Sequence, residues 1–173
     1  RIYPNYLERA LIMSKPYQMS QSYVMSNDAV RFATMIMTGQ GVSNEDAAII
    51  AECLVEADLR GVQTHGLSRL PVYVERVQRG MVKAVPNMKF ENPVAACGSL
   101  DGDNGFGFLV GRRAMQEAIT MADSCGVGVV AARNSNHFGM AATYLLQAVK
   151  AGYFAFVFTN ASKAMPPWGG REG

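Results

Sequence analysis

Apolar residues at Val30, Phe32, Ala33, Ile36 and Met37 recur at the three-to-four spacing of a helix, and Ser26-Asn27-Asp28 ahead of them offers capping side chains. The pattern predicts a helix from about Ser26 to Thr38, broken by Gly39 and Gly41. Ser43-x-x-Asp46 then forms a capping-box variant before Ala47, Ile50, Ala51, Leu54, Val55 and Ala57, which predicts a second amphipathic helix ending near Arg60-Gly61. Leu70, Tyr73, Val74 and Val77 predict another helix, with Gly80 ending it. Pro71 is tolerated in the first turn of that helix, where an N–H has no helical partner to lose.

Beyond it the rhythm changes. Residues 84–93 are punctuated by proline and read as extended, residues 94–100 predict a short strand, and Asp101-Gly102-Asp103-Asn104-Gly105 is turn chemistry. Helical spacing returns at Val110, Ala114, Met115, Ala118, Ile119 and Ala122, and Gly126 stands where a left-handed C-cap glycine belongs. The Val/Ala run at residues 127–132 predicts a buried strand. Ala141, Ala142, Leu145, Leu146, Ala148 and Val149 predict a helix closed by Gly152, and residues 154–158 predict another buried strand. Helix, strand, helix, strand is the alternation of an α/β layer. The expected organisation is an extension over residues 1–22, a mainly helical amino-terminal part over 23–100, and the start of an α/β domain over 101–173.

With 49% hydrophobic and 17% charged residues the chain can bury a core, and a net charge of +2 with interspersed signs gives no footprint for nucleic acid or an anionic membrane. Small molecules or protein subunits are the expected partners. Cys53, Cys97 and Cys125 are odd in number and lack a CxxC pair, so neither a disulfide framework nor a zinc site is expected, and a reducing, cytoplasmic compartment fits. No apolar run approaches the roughly 20 residues that cross a bilayer, and the first two dozen residues lack the apolar core of a secretory signal. Arg1 at the start and Gly169-Gly170-Arg171-Glu172-Gly173 at the end lead to the expectation of a fragment. Met13, Met19 or Met25 are then alternative starts.

Both histidines lie in glycine-flanked loops, Gln63-Thr64-His65-Gly66 and Asn134-Ser135-Asn136-His137-Phe138-Gly139. A neighbouring glycine leaves room for a ligand, and imidazole passes protons at neutral pH. A surface turn or a hydrogen-bonded structural role is the alternative for each. Arg69 and Tyr73 follow His65 by four and eight residues, so a helix beginning by Gly66 would align all three. Arg69 could then clamp a carboxylate and Tyr73 donate to it; a solvated arginine and a half-buried tyrosine are the plainer account.

Gly105-Phe106-Gly107-Phe108-Leu109-Val110-Gly111 imitates a dinucleotide loop but has one residue too many for GxGxxG, and no acid follows at the ribose position, so tight helix–turn packing explains it better. The stretch Thr159-Asn160-Ala161-Ser162-Lys163 follows the expected strand at residues 154–158, and Asn160, Ser162 and Lys163 there could hold polar groups of a cofactor; an ordinary capped turn is the alternative. No GxSxG, GxxxxGK[ST] or HExxH occurs, which argues against the hydrolase, P-loop and zinc-protease classes.

Taken in order, Ala57-Asp58-Leu59-Arg60-Gly61-Val62-Gln63-Thr64-His65-Gly66-Leu67-Ser68-Arg69-Leu70 with Tyr73 and Glu75-Arg76, Gly105-Phe106-Gly107, Ser135-Asn136-His137-Phe138-Gly139, and Thr159-Asn160 with Pro166-x-x-Gly169-Gly170 resemble the malate/L-lactate dehydrogenase family. That family also includes ureidoglycolate, sulfolactate and diketogulonate oxidoreductases. The resemblance runs from about Val24 to Gly173. It implies hydride transfer between NAD or NADP and C2 of a small 2-hydroxy or 2-keto acid, in a homodimer with a cofactor domain of non-Rossmann type.

By the same resemblance His65 and His137 are active-site histidines, one the acid/base partner of the substrate oxygen and the other a positioning group. Thr64, Arg69 and Tyr73 fall at substrate-pocket positions, and Asn160, Ser162 and Lys163 at the cofactor. Thr64 departs from the serine that many members carry, a change that adds a methyl beside the substrate. The competing readings are a catalytically silent truncated homologue serving as a dimerisation or binding module, and a lyase or racemase that works through two histidines without a cofactor.

Overall fold

The computed structural model describes residues 24–160. Helix α1, Ser26–Thr38, buries Ala33 and Met37. It starts at the expected residue but on Met25, without a side-chain cap; Asp28 sits in its first turn, where a negative charge suits the helix dipole. Helix α2, Asn44–Leu59, has the expected cap, since the Ser43 hydroxyl accepts from the Asp46 N–H at 3.1 Å. Ala47, Ile50, Ala51, Cys53, Leu54, Val55 and Ala57 are buried along it, so α2 is the central helix. Two short 3-10 turns, Gln63–His65 and Leu67–Arg69, lead into α3, Leu70–Gln78, with Pro71 in its first turn.

Strand β1, Lys89–Val94, pairs antiparallel with β2, Cys97–Gly105. Helix α4, Gly107–Cys125, then crosses back to β3, Val129–Ser135, which runs parallel to β2. The sheet order is β1-β2-β3, and α5, Ala142–Lys150, packs on α4. Pro93 is accommodated because β1 is an edge strand with an irregular register there. No helix among the described residues is long and apolar enough to cross a membrane.

Three local expectations are corrected. Residues 101–105 are not a hairpin turn: the turn lies at Ala95-Ala96, and β2 runs on to Gly105. Asp103 and Asn104 do take left-handed backbone, φ 47° and 58°, which their short polar side chains tolerate. They use it to interrupt the β2/β3 ladder between Asp101 and Gly105. Strand β3 exists but is exposed along nearly all its length, because it is the sheet's outer strand. Residues 154–158 form no ladder at all: Phe154, Phe156 and Phe158 are 84%, 69% and 86% exposed. The alternate residues Tyr153, Ala155 and Val157 pack against Met115, Ile119, Tyr144 and Ala148, so the period-two pattern is real, but among the described residues no strand lies beside it.

The larger core joins the helical part to the start of α4. Met37, Ile50, Leu54, Leu70 and Tyr73 share one cluster with Phe106, Phe108 and Leu109. Burial pushes the Cys53 thiol in this core up to about 12, which keeps it a protonated, inert core residue. Leu54→Ala removes a fully buried side chain from the centre of this cluster and is expected to lower unfolding free energy by about 2–5 kcal/mol in urea denaturation.

Candidate active site

The first wall of the site is built on the end of α2. The Asp58 carboxylate accepts from the Leu67 N–H at 2.9 Å and lies against Gly66 so closely that a Cβ there would fall 1.8 Å from Asp58 Oδ1. Glycine at 66 is thus what lets the two 3-10 turns fold onto the helix. Within them the Ser68 hydroxyl donates to the Gln63 carbonyl at 2.9 Å, and Arg69 Nε donates to the Thr64 carbonyl at 2.8 Å. Thr64 Oγ1 sits 3.0 Å from His65 Nδ1. Arg69 is therefore fixed by one nitrogen, and among the described residues its terminal nitrogens have no hydrogen-bond partner. His65, Arg69 and Tyr73 do not share one continuous helix face as the spacing had allowed, because α3 begins only at Leu70.

The second wall follows β3. Asn134 takes φ 49° and its amide donates to both Asp101 carboxylate oxygens at 3.1 Å, while Arg133 pairs with the same carboxylate at 3.0 Å. These donors, with the Asp103 N–H first among them, hold the Asp101 carboxyl below its ordinary range. The Asn136 amide then donates to the carbonyls of Asn104 and Gly105 at 3.2 and 3.0 Å. A Cβ on Gly107 would stand 2.2 Å from the Asn136 oxygen and 2.5 Å from the His137 oxygen. The backbone that carries His137 therefore lies directly on the first turn of α4, and only glycine permits that approach. This is the tight packing expected of the glycine-rich stretch.

The two walls meet. The rings of His65 and His137 stack with centroids 5.3 Å apart and 19° between planes, and Tyr73 Oη is hydrogen-bonded to His137 Nδ1 at 2.8 Å. Tyr73, 3% exposed, is gripped edge-on by Phe108 at 5.3 Å and Phe106 at 6.4 Å, the residues on either side of Gly107. Burial pushes the Tyr73 hydroxyl up to about 12, opposed by the charges of Arg69 and Arg76. His137 is shifted down from its ordinary value, by burial first and then by the positive charges of Arg69, His65 and Arg76.

Of the expected site residues, the structure thus brings Thr64, His65, Arg69, Tyr73 and His137 together. Asn160 is exposed at the end of the described segment, and Ser162 and Lys163 lie outside the described residues. Asp58, Arg76 and Asn136 were not assigned a role from sequence. All three stand inside the motifs quoted above, but only the folded contacts show that Asp58 and Asn136 hold the two loops and that Arg76 adds charge.

The guanidinium end of Arg69, unpartnered among the described residues and near the stacked imidazoles, suits a small carboxylate with a neighbouring oxygen. The N-terminus of α4 is not a place for a dinucleotide's phosphate. The carbonyl oxygens of Asn136 and His137 lie against the start of α4, where a phosphate would need N–H donors.

The family model for malate/L-lactate dehydrogenase matches residues 24–173. A malate dehydrogenase from Pyrococcus abyssi is 39% identical over 149 residues, 86% of this chain and 41% of that protein. An L-sulfolactate dehydrogenase from Methanocaldococcus jannaschii is 42% identical over 132 residues, 76% of this chain and 38% of that protein. Among solved structures, the malate dehydrogenase of Pyrococcus horikoshii OT3 superposes with a TM-score of 0.74 at 41% identity, covering 76% of this chain and 38% of that one. The chain spans about two fifths of the length of the curated relatives it matches.

Two measurements check this geometry. Gly107→Ala is expected to cost about 1–3 kcal/mol through overpacking and to displace His137 from Tyr73, read by denaturation together with loss of the Tyr73–His137 hydrogen bond in NMR spectra. The second concerns pH. Because the folded pKa of His137 is depressed, its contribution is fully present above the ordinary value of 6.5 and is lost as pH falls through the folded midpoint, since the unfolded chain binds the proton first. Stability should fall below about pH 6.5, and His137→Gln should flatten part of that fall. Asp101 and Asp103, also depressed, act only in the separate window below their ordinary 3.8.

Proposed function

The chain belongs to the malate/L-lactate dehydrogenase family, and from that premise we propose that the whole protein exchanges a hydride between NAD or NADP and C2 of a small 2-hydroxy or 2-keto acid. The observation that carries the reading is the pairing of His65 and His137 at 5.3 Å beside an arginine tethered through its Nε. Such a site needs a cation for the carboxylate and an exchangeable proton for the adjacent oxygen. Arg69 provides the first with its remaining planar N–H donors, and the histidine pair provides the second. The nicotinamide would supply the hydride, so what these residues contribute concerns the acid: its carboxylate is oriented, and its C2 oxygen is met by imidazole.

The Thr64 hydroxyl stands 3.0 Å from His65 Nδ1, and the methyl that threonine adds would shift the pocket's preference among small acids. Asn160, with Ser162 and Lys163, is the proposed cofactor contact. The names of the relatives, malate and L-sulfolactate dehydrogenases, support a short acid that bears a second anionic group, which the additional charge of Arg76 would suit. The competing reading is a catalytically silent homologue that serves as a dimerisation or binding module.

The deciding assay is NADH or NADPH oxidation by the full-length protein with a panel of 2-keto acids; no turnover with any of them would leave the module reading. His65→Ala and His137→Ala should each lower kcat/KM by about 10²–10⁴, the range of general acid–base help, and near-parental values in both would sink the site. Arg69→Lys should raise KM for the keto acid about ten-fold while KM for the dinucleotide stays put, because an ammonium cannot reproduce the fork. The reverse pattern would place Arg69 at the nucleotide.

A further inference from the structure

The geometry points to Tyr73 as a positioning residue that locks His137 in the neutral tautomer carrying its proton on Nε2. Tyr73 is buried, and the only acceptor within reach of its hydroxyl among the described residues is His137 Nδ1, at 2.8 Å. A buried O–H must donate or forfeit its hydrogen bond, so the phenol proton points at Nδ1 and that nitrogen stays bare. The ring's single proton then belongs to Nε2.

A second proton on His137 is opposed by the same contact. An Nδ1–H would have to donate to the Tyr73 oxygen, turning the phenol proton away from the one acceptor that the described residues offer it. The groups that face His137 are Tyr73, Arg69 and Arg76 from the α3 side and His65 from the adjoining turn; none is an acid, and three bear or can bear positive charge. His65 has a different neighbour. The Thr64 hydroxyl at its Nδ1 can donate or accept, so His65 is satisfied in either neutral tautomer and as the cation.

Resting on the function proposed above, this divides the pair: His137 is a fixed N–H donor toward the C2 oxygen, and proton exchange falls to His65. Phe106, Phe108 and Gly107 acquire a role through it, because they set the distance between Tyr73 and the His137 backbone.

The test is ¹⁵N NMR of the histidine-labelled protein, with His65→Gln used to assign the resonances. The parent should show His137 with a bare Nδ1 and a protonated Nε2 above its titration. Tyr73→Phe, which keeps the ring and removes only the donor, should mix the two tautomers and move the His137 midpoint upward by about one pH unit, the worth of one hydrogen bond. In full-length enzyme the same variant should lower kcat about ten-fold and change the keto-acid KM less than two-fold. An Nδ1–H tautomer in the parent overturns the lock whether or not the variant folds, and so does an unchanged spectrum in Tyr73→Phe. A changed tautomer with unchanged kcat overturns the donor role. Absence of keto-acid turnover in the parent would instead remove the functional reading and leave the tautomer result standing.

Discussion

The site depends on a backbone-to-backbone contact that no side chain makes. Carbonyl oxygens of Asn136 and His137 lie where a Cβ on Gly107 would be, and this approach fixes the height of the His137 loop above the first turn of α4. The same turn carries Phe106 and Phe108, which grip Tyr73, so one glycine sets the position of both partners in the Tyr73–His137 bond. Gly66 does the equivalent at the other wall by admitting the Asp58 carboxylate. Each histidine is therefore placed by a glycine-enabled contact to a helix: α2 for His65 and α4 for His137. Both helices belong to the same buried core.

Polar residues of β2 finish the placement. Asp101, Asp103 and Asn104 look like turn formers and are used instead as acceptors and donors for the surrounding loops. Asp101 takes Asn134, Asp103 takes Lys83 and the Asn87 N–H, and the Asn104 carbonyl takes the Lys83 N–H and the Asn136 amide. The left-handed backbone at Asp103 and Asn104 turns these groups outward at the point where β2 stops pairing with β3. The end of β2 is thereby held without another strand, and through the Asn136 amide it ties down the His137 loop that leaves β3.

How much of this could be read beforehand follows from which interactions are local. Helices α1 to α3, the caps at Ser43, Gly126 and Gly152, and the proximity of Arg69 to His65 depend on neighbours within a few residues, and the pattern showed them. That both histidines, Arg69 and Tyr73 come together is implied by the resemblance and not by spacing, since His65 and His137 lie on separate loops that only the folded core between α2 and α4 brings into contact. The Asp101-Gly102-Asp103-Asn104-Gly105 stretch misled because turn propensity cannot tell a hairpin from a strand interrupted by left-handed residues. Residues 154–158 kept the alternation of a strand, but a ladder needs a neighbour, and alternation alone does not provide one.

The rings of His65 and His137, stacked at 5.3 Å, are not equivalent. Burial and the positive charges of Arg69, His65 and Arg76 favour the neutral form of His137. Stacking by itself does not set the tautomer of either ring. The choice comes from what each Nδ1 faces: a threonine hydroxyl that can turn either way at His65, and at His137 a buried phenol with one place to put its proton. An incoming carboxylate would offset the arginine charge but leave the phenol's constraint in force, so the asymmetry between the two histidines persists when substrate binds.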